Sequence, residues 1–308
     1  MTAQPVEDTD GLVHFTQGSL VYAGQHRHEL GYPVHSHSFL EVALVLDGVG
    51  THHSLAGAQP LSRGDAVLLR PGVWHEYRDC RRLVLFNCCF SPDLLHRELA
   101  WTREDPLLGH LLWTGPQTRG RHGMLAARFD EGALENSRPH LDALAELHAK
   151  PLTRHRGAVV GRLCLFLNEL ARAVEQDAGS SGTGASAHPT VVAAMRLLEQ
   201  RLAYPWRLDD LARDLHLAPG SLVRLFRSAV GMPPMAYLAR QRAEAAATLL
   251  LTTDLPVTEI GRTVGWSDPN YFARRFRAHL GLNATEYRRR FRADAGAMAA
   301  KLRPLLVD

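Results

Sequence analysis

The chain has 308 residues, 45% of them hydrophobic, and a formal net charge of +3. That length allows two domains with cores of their own, and no apolar run approaches membrane-spanning length, so no membrane partner is expected. Nothing near the amino terminus joins a basic start to an apolar core, and Cys80, Cys88, Cys89 and Cys164 show no framework spacing, so a cytoplasmic protein with reduced thiols is expected. The charge is unevenly placed. From Thr190 onward 18 Lys and Arg face 11 Asp and Glu; before it the counts are 17 and 21. Histidine is split the other way, with 15 of 17 before Thr190. A basic second part is what a phosphate-binding module requires.

Residues 1–20 read as a loose lead-in. From Leu20 the text turns to short strand-like runs. Glu41–Leu46 stops at Asp47-Gly48, Ala66–Arg70 stops at Pro71-Gly72, and Leu83–Phe86 follows a charged loop. Short runs punctuated by Gly, Pro and Asp, without helical period, predict a β-barrel or jelly roll.

Inside that region stand His35-Ser36-His37, Glu41 and Gly48, then Gly64-Asp65 and Pro71-Gly72-Val73-Trp74-His75. The arrangement resembles the two motifs of the cupin fold. The glycine expected before the first histidine is out of place, and the second motif is shortened to Pro71-Gly72. On a strand, His35 and His37 point to one side, and Glu41 has the same parity. The resemblance implies a divalent metal held by His35, His37, Glu41 and His75, and imidazole with carboxylate suits zinc, iron or nickel. The same four side chains can equally hydrogen-bond the hydroxyls of a small ligand, with Trp74 as an aromatic face, or serve structure alone. No cofactor is otherwise required. Residues 35–92, with Leu85-Phe86-Asn87 and Ser91-Pro92, resemble the sensor half of the L-rhamnose activators, which implies a sugar or similar polyol as effector.

From about Asp93 the pattern turns helical, clearly so over His140–Ala149 and Arg154–Gln176. Val160, Leu163, Leu167, Leu170 and Val174 form a seam at alternating spacings of three and four. The seam suits packing on the barrel or pairing with a second copy. Residues 177–189 are small and polar and read as a flexible linker.

The last third contains a repeat. Leu211–Gly231 and Ile260–Gly281 share an Arg-x-Phe-Arg core: Arg224, Phe226 and Arg227 answer to Arg274, Phe276 and Arg277. Each copy is a short helix, a tight turn and a second helix begun by proline, which describes a helix-turn-helix. A helical run over Pro234–Leu251 separates the copies, and Ala284–Arg292 closes the domain. The second copy, from Ile260 through Gly265-Trp266, Asp268, Tyr271-Phe272, Arg274 and Phe276-Arg277 to Gly281 and Tyr287-Arg288, resembles the AraC/XylS family of transcription regulators. Gly261, Asn270 and Ala284 depart from that family's usual alanine, serine and proline.

The expected fold is a multidomain α+β chain. A cupin-like effector-binding and dimerisation domain occupies 1–176, with its barrel over about 20–92 and helices over about 93–176. The linker is 177–189. A DNA-binding domain occupies 190–293, with helix-turn-helix motifs at 208–230 and 256–280, and a tail follows at 294–308. Gly220, Val223 and Arg224, with Asp268, Pro269, Asn270, Ala273 and Arg274, lie where base edges can be reached; Arg224 and Arg274 match guanine, and Asn270 matches adenine. Arg227, Arg277 and the run Arg288–Arg290 suit phosphates. The resemblance implies double-stranded DNA and a small effector as partners, a homodimer through the helical segment, and RNA polymerase if the protein activates. A metal-dependent cupin enzyme, an isomerase or dioxygenase with an appended DNA-binding part, is the alternative.

Overall fold

The computed structural model describes residues 6–9, 12–15, 21–118, 120–147, 152–177 and 188–291. The expected linker and tail fall almost wholly outside these. In place of a loose lead-in, β1 (Val6–Thr9) and β2 (Leu12–Phe15) pair as an antiparallel hairpin.

Seven further strands form one curled antiparallel sheet: β3 (Val21–His28), β4 (Tyr32–His35), β5 (Leu40–Ser54), β6 (Gly57–Ser62), β7 (Asp65–Leu69), β8 (His75–Phe90) and β9 (Met124–Arg128). Its shape follows from β5 and β8, of 15 and 16 residues. The first half of β5 pairs with β7 and with the end of β8, whose outer neighbour is β3. The second half of β5 pairs with β6 and with the start of β8, whose outer neighbour is β4. The register between β5 and β8 shifts three times between Val45 and Thr51. Such bulges bend a strand pair, and here they let two strands serve both walls of a barrel-like fold.

β9 lies within the stretch expected to be helical. Met124-Leu-Ala-Ala-Arg128 is made of helix-favouring residues, yet it pairs with β7 from Asp65–Arg128 to Leu69–Met124. Around it run α1 (Pro92–His96), α2 (Pro106–Gly109), α3 (Glu131–Leu147) and α4 (Leu152–Asp177). On α4, Leu163, Leu167, Leu170 and Val174 are buried, and Val160 packs beside them in a core shared with the sheet and α3. The seam is therefore consumed inside the chain and is not free to pair with a second copy. The outer face of α4 carries Gly157, Gly161 and the half-exposed Leu165 instead.

The second half is helical: α5 (Pro189–Gln200), α6 (Leu208–Asp214), α7 (Pro219–Val230), α8 (Pro234–Thr252), α9 (Val257–Thr263), α10 (Pro269–Leu280), and α11 over 284–291. α7 and α10 end alike, on Gly231 and Gly281 in the left-handed region at φ 76° and 78°, each amide returning to the carbonyl four residues back. Those glycines occur because a residue with Cβ is strained there. Two cores result. One is continuous from the barrel through α3 and α4 into α5–α7; the other lies under α8–α11 and takes in Val34 and Trp74 from the barrel half. Among the described residues no helix is long and apolar enough to cross a membrane.

Candidate sensor site and DNA-reading face

Four of the five expected sensor residues meet in the barrel. His35 and His75 rings lie 4.1 Å apart between centroids, and His37 and His75 lie 5.4 Å apart. His37 Nε2 lies 2.8 Å from Glu41 Oε2, and its Nδ1 lies 2.9 Å from the Phe39 carbonyl. Both nitrogens thus face acceptors, so His37 serves as the clamp on Glu41. Burial opposes the Glu41 charge, but the hydrogen bond from His37, together with the imidazoles of His37, His35 and His26 around it, holds that carboxyl below its usual range. One potential ligand atom from each of His35, Glu41 and His75 falls within 4.8 Å of the others; His37 is outside that set.

His35 and His75 are kept neutral by their surroundings, and burial is the largest cause for both. It takes His35 down to about 4 against the pull of Glu41, and takes His75 well below its ordinary value with help from His35 and His37. His35 Nδ1 donates to the Pro33 carbonyl at 2.9 Å, which leaves Nε2 with its lone pair.

His52 belongs to the site and carried no motif. It is wholly buried, neither ring nitrogen has a hydrogen-bond partner, and its ring lies 5.4 Å from His75 and 5.5 Å from Tyr77. Burial lowers it to about 4. The Tyr77 hydroxyl is likewise buried without a partner, and its ionisation is pushed up by burial. The signal in the sequence was only a His52-His53 pair near the end of a strand.

Trp74 is placed differently from expectation. Its Nε1 donates to the Leu280 carbonyl at 3.2 Å, and its ring joins the core of the second helix-turn-helix. It faces the other domain because it alternates with His75, which faces inward. Trp113 is core, donating to Thr102 Oγ1 at 2.9 Å.

On the DNA-reading side, Gly220, Arg224 and Arg227 are exposed on α7 and Val223 is half-buried; Asp268, Pro269, Asn270, Ala273, Arg274 and Arg277 are all exposed at or on α10. The opposite faces supply Leu222, Phe226 and Val230, and Phe272, Phe276 and Leu280, to the cores. Two assignments shift. Asp268 caps α10, its Oδ1 accepting from the amides of Asn270 and Tyr271 at 2.8 and 3.3 Å, so its carboxylate is committed to the helix start. Arg288 donates to the Leu255 carbonyl at 2.6 Å and so braces the chain, while Arg289 and Arg290 remain exposed. Tyr271, 40% exposed with the Arg274 guanidinium 5.4 Å from its ring centre, adds an aromatic surface to that face.

Comparison with known proteins agrees with this architecture. Residues 17–150 match the AraC-like ligand binding domain and residues 211–290 match a helix-turn-helix domain. The HTH-type transcriptional activator RhaR of Cronobacter sakazakii is 28% identical over 265 residues, covering 85% of this chain and 88% of the relative. RhaR of Mannheimia succiniciproducens is 25% identical over 260 residues, covering 84% and 88%. Among solved structures, ToxT from Vibrio cholerae superposes with a TM-score of 0.52 at 12% identity, over 87% of this chain and 98% of ToxT, a likeness of fold. With a ligand-binding half and a groove-reading half in this order, the chain belongs to the AraC family of DNA-binding transcription regulators.

Proposed function

We propose that the protein is an effector-responsive regulator whose barrel binds a neutral polyol, a sugar being the first candidate, and whose α7 and α10 read two neighbouring major-groove segments. The observation that carries the effector reading is the buried group His52, His75 Nε2 and Tyr77 hydroxyl, which lack hydrogen-bond partners and lie together beside an apolar cluster of the barrel. Leaving such groups unpaired costs about 1–3 kcal/mol each, and ligand hydroxyls, which both donate and accept, would satisfy them. The relatives are named transcriptional activators, which supports activation and, with it, RNA polymerase as a partner, while the resemblance of residues 35–92 to the L-rhamnose activators supports a sugar. Titration calorimetry of the full chain against hexoses, deoxyhexoses, pentoses and alditols tests this. A saturable heat lost in Tyr77→Phe and His52→Leu is expected; no heat from any of them refutes the polyol.

The chemistry of the donor set also favours a metal reading. His35 and His75 present imidazole nitrogens free of hydrogen bonds, and Glu41 is held in place by His37, the outer support that metal carboxylates require. These residues fit zinc, iron or nickel. A bound ion there would supply positive charge to orient effector hydroxyls. Elemental analysis of natively purified protein, with Glu41→Gln as control, separates the two readings. That the relatives are named transcriptional activators supports a regulator over the enzyme alternative.

On DNA, Arg224, Arg274 and Asn270 are the base readers, and Arg227 and Arg277 the phosphate contacts. α8, of 19 residues, spans roughly 28 Å. As a stiff spacer it suits recognition helices set about one duplex turn, ~34 Å, apart. Footprinting on the gene's own upstream region tests this. A homodimer remains the expected assembly, now through the outer face of α4. Sedimentation of Leu165→Glu, expected to be monomeric where the parent is dimeric, decides it.

A further inference from the structure

The two segments that carry the sensor histidines also carry the contact with the second helix-turn-helix. Along 34–37 the side chains alternate. His35 and His37 turn toward His75, while Val34 enters the core under α8–α11 and Ser36 Oγ lies 2.5 Å from the Tyr287 hydroxyl. Along 72–75 the alternation repeats. Val73 packs in the barrel core and His75 joins the cluster, while Trp74 bonds to Leu280 and Gly72 lies against α8. One face of each strand end is the site; the other is the domain contact.

Tyr287 ties the two ends together. It is wholly buried, and its hydroxyl donates to the Gly72 carbonyl at 3.0 Å. Having one proton, it must accept from Ser36. The Gly72 amide in turn donates to the His37 carbonyl at 2.9 Å. Ser36, Tyr287, Gly72 and His37 thus close a ring of hydrogen bonds directly behind the imidazoles. Gly72 makes the approach possible: it sits at φ +84°, and a Cβ on it would stand 2.7 Å from the Ala247 side chain.

We propose that Tyr287, on the last helix of the DNA-binding domain, is a positioning residue of the sensor site. It fixes the separation between the strand end bearing His35 and His37 and the one bearing His75, so that the site is in register only while the second helix-turn-helix is docked. The proposal rests on the effector reading above for what binds there, not for the geometry. Coupling of this kind is reciprocal: whatever binds between these histidines biases the seat of α10, and DNA that moves α10 alters the site by the same factor.

The test is amide hydrogen exchange on the full chain, read by mass spectrometry, in the parent, Tyr287→Phe, Ser36→Ala and Tyr237→Phe. No effector is needed, so a failed sugar or metal titration leaves this test intact. Losing one buried hydrogen bond at a local opening corresponds to about fivefold faster exchange. Tyr287→Phe is expected to show that increase at both 34–38 and 71–75, and Ser36→Ala at 34–38 alone. Tyr237→Phe removes another buried hydroxyl of the same domain, bonded to Glu199, and is expected to leave both segments unchanged. Unchanged exchange in Tyr287→Phe overturns the proposal. So does an increase spread evenly over β5 and β8, or the same pattern from Tyr237→Phe, since either would make Tyr287 a general stabiliser.

Discussion

Glu244→Leu perturbs the joint between the halves at its most buried charge. Arg70, 3% exposed at the end of β7, donates to Glu244 on α8 through Nε at 3.0 Å and Nη2 at 2.9 Å, and to the Leu112 carbonyl at 2.7 Å. Gln117 Nε2 donates to the same carboxylate at 2.9 Å. Burial disfavours the guanidinium charge, yet the Glu244 carboxylate outweighs it and raises the Arg70 pKa. Removing the carboxylate leaves a buried cation with only Leu112, a loss of about 3–5 kcal/mol, and strands the Gln117 amide for about 1 more. The chain can escape part of that loss by letting α8 draw back so that water reaches Arg70. The measured loss then equals the free energy of docking, if that is the smaller. Urea unfolding followed by circular dichroism gives the loss, and X-ray scattering shows whether the molecule has opened. Arg70→Met with Glu244→Leu removes both charges together and is expected to return to within about 1 kcal/mol of the parent. An unchanged urea midpoint and unchanged scattering in Glu244→Leu would refute the reasoning.

Further outcomes follow from the same structure. Arg274→Ala is expected to weaken a footprinted site by about 1–3 kcal/mol while random-sequence binding holds; Arg277→Ala should weaken both alike and lower the salt slope by about 1. Gel shifts at two salt concentrations separate them. His52→Leu should raise the melting temperature, because it replaces a buried ring that has no partners, and should abolish effector binding in the same preparation. Acid should destabilise the fold through His279, which burial, aided by Arg275 and Arg240, lowers to about 4. The unfolded chain takes up the proton near 6.5, so stability is full above that value and falls between it and about 4. His279→Phe should flatten that fall by up to roughly 1 kcal/mol per pH unit, read from urea midpoints at pH 7, 6 and 5.

The DNA-binding half was legible because helix signals are local. Prolines at 219, 234 and 269, glycines at 231 and 281 and the spacing of Phe272, Phe276 and Leu280 mark each helix within its own turns. The sensor half was legible only where a motif pinned it. His35, Glu41 and His75 could be named from spacing, but His52 is buried by its pairing opposite Tyr77 on β8, a partner 25 residues away. β9 was hidden for the same reason: its five residues prefer helix, and β7 decides otherwise. Trp74 shows a further limit. A tryptophan beside a ligand histidine reads alike whether it faces the ligand or a neighbouring domain, and only the strand's alternation against Leu280 separates the two. The α4 seam is similar, since a stripe at that spacing looks the same whether its partner is a sheet or a second copy.

The double use of the strand ends restricts how such regulators can be recombined. A chimera that joins this sensor to a foreign DNA-reading half would bring its histidines intact but meet an unfamiliar surface at Val34, Ser36, Gly72 and Trp74. Grafts that transplant those four along with the residues they touch should inherit inducibility, whereas grafts cut only at the linker should fold, bind their operators and ignore the inducer.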